Sequence, residues 1–199
     1  GESWSLAIAT HLALCPDCRR TVRDLEAIGA SLLEGLSSTP LSVKSSNAIL
    51  SRLSMDTVSS ENTPYIVESG VAPVLPEPLR RYAGGDIKDL QWQRLGLGAY
   101  QCHIPTDDEG ISARLLRIPA GKLVPAHTHG GLELTLVLCG AFSDATGCYA
   151  RGDLQEADET LEHQPHATVG EDCICLAVTD APLRFSNLVA RLAQPFIGI

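Results

Sequence analysis

Aromatic residues are scarce in this chain of 199 residues, where Phe, Trp and Tyr together make up 5%. A core must therefore be built mainly from Leu, Val, Ile and Ala. An excess of positive charge is also lacking, because 24 Asp and Glu outnumber 15 Lys and Arg and give a net charge of −9. That balance argues against a broad electrostatic contact with nucleic acid or with an anionic membrane.

Long hydrophobic runs are missing as well. No run of apolar residues approaches the roughly 20 that a membrane-spanning helix needs. The first residues, Gly1 to Trp4, lack both an initiator Met and the basic-then-apolar order of a signal peptide. We therefore expect a soluble, cytoplasmic protein that binds neither nucleic acid nor membrane directly, and we expect further natural sequence before Gly1.

The pattern of residues changes twice along the chain. Up to about residue 55, apolar residues recur at helical spacing, most clearly from Pro16 to Leu36. Residues 57–79 are rich in proline, which favours an extended linker. From Arg80 onward, short apolar runs separated by Gly and Pro are typical of strands. The sequence thus predicts an α+β multidomain chain, with a small helical domain at 1–56, a linker at 57–79 and an all-β domain at 80–199.

His11, Cys15 and Cys18 bring three metal-ligating side chains together near the start of the chain. In one continuous helix, offsets of four and three residues would place all three on one face. Pro16 favours two consecutive helices instead, with His11 in the last turn of the first and Cys18 in the first turn of the second. Either geometry suits tetrahedral zinc. A redox dithiol and two cysteines in a helical core are the alternatives.

A second set of ligating residues lies in the β-rich half. His127 and His129 are two residues apart, so in a strand both side chains point to the same face. Gly130 and Gly131 permit a tight turn, after which Glu133 opens the next strand. Two imidazoles and one carboxylate suit Zn, Fe(II), Mn or Ni and leave room for a fourth ligand.

The run from Gly121 to Gly140 reads GKLVPAHTHGGLELTLVLCG. It matches the first motif of the cupin family throughout, and this resemblance implies a β-barrel that holds one divalent metal ion. The family's second motif supplies one more histidine. Here that motif is incomplete, and both His163 and His166 compete for the position. We favour His163, which lies about thirty residues after Glu133.

The two halves together resemble the ChrR-type anti-sigma factors, which join a zinc-binding anti-sigma domain to a C-terminal cupin-like domain. The matching stretches are Ser5 through Cys18, Gly131 to Leu138, Asp172 to Ala177 and Thr179 to Phe185. The resemblance implies that His11, Cys15 and Cys18 bind zinc. A further ligand of that family is a histidine in an earlier helix, which this chain lacks. It also implies that His127, His129, Glu133 and His163 bind the cupin metal, so two zinc sites are expected, although the cupin site could hold another divalent metal.

The same resemblance implies a regulator and no enzyme. Such proteins bind an extracytoplasmic-function sigma factor through the helical domain and block its access to RNA polymerase. The cupin half is needed for release under oxidative stress, with singlet oxygen as the known type of signal. Cys173 and Cys175 share one face of a predicted strand and are candidates for a redox role. Cupins often dimerise, so a homodimer through this domain is a further expectation.

Two other functions fit the residues. Three His and one Glu in a cupin is also the metal set of dioxygenases and related enzymes, in which case the helices would be a docking module. The second is a zinc-stabilised interaction protein without a sensing role. The joined architecture favours the regulator.

Overall fold

The computed structural model of the chain describes residues 1–40, 42–55, 72–96 and 98–185. Its internal contacts divide the chain into two compact units. One comprises Gly1–Arg19 and Pro73–Ile199, and the other comprises Arg20–Ala72. Among the helices in the described ranges, none combines the length and the hydrophobicity that a membrane span requires.

Helices occupy the first part of the chain, as the sequence predicted for residues 1–56: α1 (Glu2–Leu14), α2 (Pro16–Glu34) and α3 (Val43–Met55). Proline is well tolerated at the first position of a helix, where a backbone N–H would have no partner within the helix. Pro16 accordingly separates α1 from α2. Asp17 adds an acidic side chain to the first turn of α2, where the helix dipole favours it.

A fourth helix, α4 (Glu77–Ala83), begins inside the predicted linker. The prolines there had indicated an extended chain, but Pro76 caps this helix and Pro78 lies in its first turn. In both positions the missing N–H removes no hydrogen bond of the helix. Leu75 and Leu79 are fully buried and anchor the segment. The predicted linker residues 57–71 lie outside the described part of the chain.

The strands that follow form three antiparallel sheets. They are β1 (Gln93–Gly96), β2 (Ala99–Ile104), β3 (Ser112–Ile118), β4 (His127–His129), β5 (Glu133–Cys139), β6 (Ala141–Asp144), β7 (Gly147–Ala150), β8 (Leu154–Ala157), β9 (His166–Ala167), β10 (Cys173–Thr179) and β11 (Leu183–Phe185). The main sheet has the order β1-β2-β3-β10-β5-β8, and the smaller sheets are β7-β6-β9 and β11-β4.

The main sheet separates two cores because successive residues of a strand point to opposite faces. On one face, leucines of β5 and β10 such as Leu136 and Leu176 pack in a cluster with Leu6 and Ala7 of α1 and with α4. On the other face, Val137 packs with Phe142 of β6 and with cysteines of β10. This second face looks toward the smaller sheets, which carry the histidines of interest.

Helix α1 is held at both ends by the strand-containing part of its own compact unit, residues 93–185, which we call the β-rich unit. Its first backbone amides, those of Glu2 and Ser3, donate to the Asp108 carboxylate at 2.9 and 2.7 Å, which caps the helix from the loop between β2 and β3. Near its end, His11 Nδ1 lies 2.9 Å from the Gly152 carbonyl. The sequence predicted one helical domain for residues 1–56, whereas these contacts group α1 with the strands.

Gly140 closes the predicted motif between β5 and β6, and its backbone requires glycine. Its φ is +63°, in the left-handed region. A Cβ added there would lie 2.6 Å from the carbonyl oxygen of Asp172. The last glycine of the motif therefore allows a close approach of two backbone segments and turns the chain from the main sheet into β6.

Candidate metal centres

Three histidines meet between the sheets of the β-rich unit. His127 and His129 lie on β4 with both side chains on one face, as their spacing predicted. His163 lies on a loop, but its backbone forms a bridge with His127 through a reciprocal pair of hydrogen bonds of 3.0 and 3.1 Å. All three residues are buried.

Their Nε2 atoms converge. His163 Nε2 lies 3.0 Å from His127 Nε2 and 3.1 Å from His129 Nε2. Imidazole nitrogens that share one metal ion with bonds of about 2.1 Å are separated by roughly 3.0 to 3.4 Å. The spacing of the three nitrogens therefore fits a single shared ion.

The other ring nitrogens show why this arrangement needs a cation. His127 Nδ1 lies 2.8 Å from the Pro125 carbonyl, and His163 Nδ1 lies 2.7 Å from an Asp144 carboxylate oxygen. Both oxygens can only accept, so each Nδ1 carries a proton and donates it. In the neutral rings the two Nε2 atoms then have lone pairs that face each other at 3.0 Å. Such a contact is repulsive unless a cation lies between them.

A divalent metal ion is one cation that suits this position. Burial lowers the pKa of His127 and of His129 to about 4 in each case, so neither ring holds an additional proton near neutral pH. Neutral imidazoles are the form that binds metal. The donor set thus fits the metal ion that the sequence predicted.

The structure does not bring Glu133 into this cluster. Its Oε1 accepts a hydrogen bond from Thr135 at 2.9 Å, and its Oε2 lies 3.8 Å from His129 Nδ1, on the side of the ring away from the other histidines. Burial raises the pKa of Glu133, against the opposing effects of the Thr135 hydroxyl and the Arg114 guanidinium. The predicted role of Glu133 as a metal ligand stays a prediction.

His166 was the alternative to His163, and the structure separates the two. His166 lies in β9 with an exposed side chain, and its Nε2 is 3.3 Å from the Gly121 carbonyl. His163 is the one that joins His127 and His129 in the cluster.

The structure also brings His11, Cys15 and Cys18 together, with ligand atoms within 4.8 Å of one another. The hydrogen bond of His11 Nδ1 to the Gly152 carbonyl leaves Nε2 free to bind metal. Cys15 immediately precedes α2, and a hydrogen bond from the Cys18 backbone N–H lowers the pKa of its thiol. The hydrogen bond with Cys15 in turn raises the pKa of Cys18. The cluster suits a thiolate-binding metal such as zinc.

Cys173 and Cys175 lie side by side on β10, with their sulfur atoms 3.5 Å apart. Both are buried, and the hydrogen bond with Cys173, together with burial, raises the pKa of Cys175 well above its usual value. Because the thiolate is the reactive form, this environment disfavours oxidation. The redox role of this pair stays a prediction.

Two partners of the candidate ligands were not predicted. The Asp144 carboxylate accepts from His163, 19 residues further along the chain, and the Gly152 carbonyl accepts from His11, 141 residues before it. No spacing rule links residues so far apart. The local signal for Asp144 is an Asp-x-Thr turn, which by itself indicates only a turn.

Comparison with known proteins places the chain in a family. A family model described as the ChrR Cupin-like domain matches residues 81–182. Over 198 residues the chain is 46% identical to the anti-sigma-E factor ChrR of Cereibacter sphaeroides, a match that covers 100% of this chain and 90% of that protein. The chain belongs to the ChrR family.

A solved structure agrees with this assignment. The crystal structure of Rhodobacter sphaeroides SigE in complex with the anti-sigma ChrR contains a chain that is 44% identical and superposes with a TM-score of 0.75. The match covers 90% of this chain and 89% of that chain. The family assignment and the predicted combination of N-terminal helices with a cupin-like domain are thus confirmed.

The geometry predicts different consequences for two histidine substitutions. His163→Ala should lower the metal content of the purified chain by about one ion, because it removes one of three converging nitrogens. His166→Ala, the matched control, should leave the content unchanged. Elemental analysis of both variants measures this, and a loss of metal in the control alone would contradict the assignment.

Proposed function

We propose that this chain is an anti-sigma factor that sequesters an extracytoplasmic-function sigma factor through its N-terminal helices. We further propose that its metal-binding cupin domain carries the response to oxidative stress. The observation that supports the first part most directly is an exposed apolar stripe on α2. The family relation to a chain solved with SigE indicates the kind of partner.

The stripe consists of large aliphatic residues that recur every three or four positions. Its members are 60% to 70% exposed: Leu25, Ile28, Leu32 and Leu33 of α2, together with Leu36 just after the helix. No residue of α2 is buried along Pro16–Glu34, all of which the structure describes. Helix α3 also exposes apolar side chains, namely Val43, Ile49 and Leu53. Exposed apolar stripes of this kind mark binding surfaces for helices or grooves of a partner.

The N-terminal cluster is proposed to hold zinc through His11, Cys15 and Cys18. When bound, the ion would cross-link the last turn of α1 to the first turn of α2 and stabilise the fold there. Two features of the protein would favour binding of such an ion. His11 is oriented by Gly152, and the Cys15 thiol has a lowered pKa that favours the thiolate.

The cupin cluster is proposed to hold a divalent metal through His127, His129 and His163, with Glu133 as a further candidate. A signal can release the partner only if it stabilises the free state more than the bound state. Alternating residues of β5 reach both the cupin interior, through Glu133, and the core shared with α1, through Leu134 and Leu136. A change at the metal site therefore has a short physical path to α1.

The enzyme alternative has less support. The cluster leaves coordination positions open, as a dioxygenase would need, but a shared fold does not imply a shared reaction. The relative that matches over the whole chain is an anti-sigma factor. Homodimerisation through the cupin and a cytoplasmic location stay predictions.

Substitutions on α2 test the sigma-binding surface. Leu32→Glu should weaken binding of the sigma factor from the same organism at least about tenfold, because it places a charge in an apolar interface. Ala27→Glu introduces the same residue, with the same charge, on the opposite side of α2. This variant should bind the sigma factor normally. The measurement is the dissociation constant of purified full-length chains. Equal binding by both variants would exclude this surface.

A cupin substitution tests the proposed response. His127→Ala should leave sigma binding intact, because His127 lies in the β-rich unit and not on α2. We expect it to slow the release of the sigma factor from the purified complex when singlet oxygen is generated by a photosensitiser. Release is followed by size-exclusion chromatography, with His166→Ala as the control. If release is as fast in His127→Ala as in the unmodified chain, the cupin metal has no part in the response.

A further inference from the structure

Asp144 stands at the end of β6, at the start of the turn that leads into β7. Its side chain is completely buried, with an exposed fraction of 0%. A buried carboxylate is costly unless hydrogen bonds satisfy it. The neighbours of Asp144 are therefore informative about what it does.

Both carboxylate oxygens are fully engaged. Oδ1 accepts from the Thr146 backbone N–H at 2.8 Å and from the Thr146 hydroxyl at 2.6 Å. Oδ2 accepts from Gln155 Nε2 at 2.8 Å and from His163 Nδ1 at 2.7 Å. Four donors point at these two oxygens, so the surroundings match the carboxylate form, which can only accept.

The orientation of the His163 ring depends strongly on its hydrogen bond to Asp144. His127 and His129 are placed by a regular strand, whereas His163 lies on a loop and has only an isolated bridge to His127. Asp144 fixes both the direction of the His163 ring and the nitrogen that carries its proton. In the neutral ring, Nε2 is thereby left without a proton and directed at His127 and His129.

Charge gives Asp144 a second effect. A divalent ion bound by three neutral imidazoles would bring two positive charges into a buried site. A carboxylate one hydrogen bond behind a ligand partly offsets that charge and makes the ligand nitrogen a better donor. Two further acidic groups lie near the three histidines: Glu133, 3.8 Å from His129, and Asp158, whose charge also acts on His129.

We propose that Asp144 is a positioning residue of the cupin metal site, which sets its metal affinity through His163. The inference rests on the proposed metal-binding role of the three histidines. Gln155 and Thr146 donate hydrogen bonds to the Asp144 carboxylate and fix its position. They are also linked to each other, because Gln155 Nε2 lies 2.9 Å from the Thr146 hydroxyl. The positioning network thus extends from β8 through the β6–β7 turn to the ligand.

The test compares two Asp-x-Thr turns. Asp144→Asn keeps the size of the side chain but removes the charge and supplies only one accepting oxygen. Asp158→Asn is the matched control, because Asp158 makes the same two hydrogen bonds to Thr160, at 2.9 and 2.6 Å, on the surface and acts on His129 through its charge. The control thus removes a nearby charge, whereas Asp144→Asn also changes a hydrogen bond to a ligand ring. Zinc affinity is measured in the full chain by competition with a chelator. Binding is followed through the imidazole signals of His127 and His163 after 15N-histidine labelling, so that the thiolate cluster does not contribute.

Asp144→Asn should lower the zinc affinity of the cupin site by about 10- to 100-fold, and Asp158→Asn should change it by less than about twofold. The same spectra should show His163 protonated at Nδ1 and bound through Nε2 in the unmodified chain. The midpoint of thermal unfolding of the metal-free chain distinguishes a positioning role of Asp144 from a merely structural one. A merely structural role would lower that midpoint without changing the zinc affinity.

An unchanged affinity in Asp144→Asn would overturn the proposal. If that variant does not fold, the spectrum of the unmodified chain decides, because a His163 bound through Nδ1 is incompatible with the role of Asp144. If the unmodified chain binds no zinc at these histidines, the proposed cupin metal fails and this inference fails with it. Sigma binding by Asp144→Asn should remain normal, which distinguishes loss of the metal from loss of the anti-sigma function.

Discussion

The convergence of three imidazole nitrogens on one point is the constraint on which the β-rich unit depends. In the neutral rings, two of those nitrogens have lone pairs that face each other, because Pro125 and Asp144 hold the protons on the opposite side of the rings. The fold must therefore supply three things together: a strand that presents His127 and His129, a loop that returns His163 to them, and acceptors that select the right nitrogen. The paired backbones of His127 and His163 provide the return.

The main sheet connects this interior to the N-terminal helix. Strand β5 alternates between Glu133 near the histidines and leucines that pack with α1 on the other face. Helix α1 is held at its start by Asp108 and near its end by Gly152. His11 thus belongs to a candidate metal cluster and contacts the β-rich unit at the same time. Both metal clusters lie in one compact unit. A structural change at one cluster can therefore reach the other through packed side chains and hydrogen bonds.

Local spacing predicted the parts of the site that are close in sequence. The i, i+2 relation of His127 and His129 and the run of motif residues from Gly121 to Gly140 were sufficient for the strand pair and the turn. Contacts between distant residues could not be found this way. Asp144 looks like any residue that opens a turn, and its hydrogen bond to His163 arises only when the sheets come together.

Helix α1 and the proline segment illustrate two further limits of sequence reasoning. The buried residues of α1 include small or polar ones, Ser3, Ala7 and Thr10. The sequence of α1 therefore lacks the broad apolar stripe that would predict packing of this helix on a sheet. Pro76 and Pro78 favour an extended chain in most contexts, yet the same residues are compatible with the start of α4. In each case tertiary packing selected one of two conformations that the local sequence allows.

The most direct test of a metal ion shared by the three histidines is the position of the metal in crystals of the metal-loaded full chain. Anomalous X-ray scattering recorded at the absorption edge of zinc locates the ion without reference to the fold. We expect a peak bonded to Nε2 of His127, His129 and His163, with Asp144 still hydrogen-bonded to Nδ1 of His163. A chain saturated with zinc that shows no peak between these rings, or one bonded to Nδ1 of His163, would contradict it.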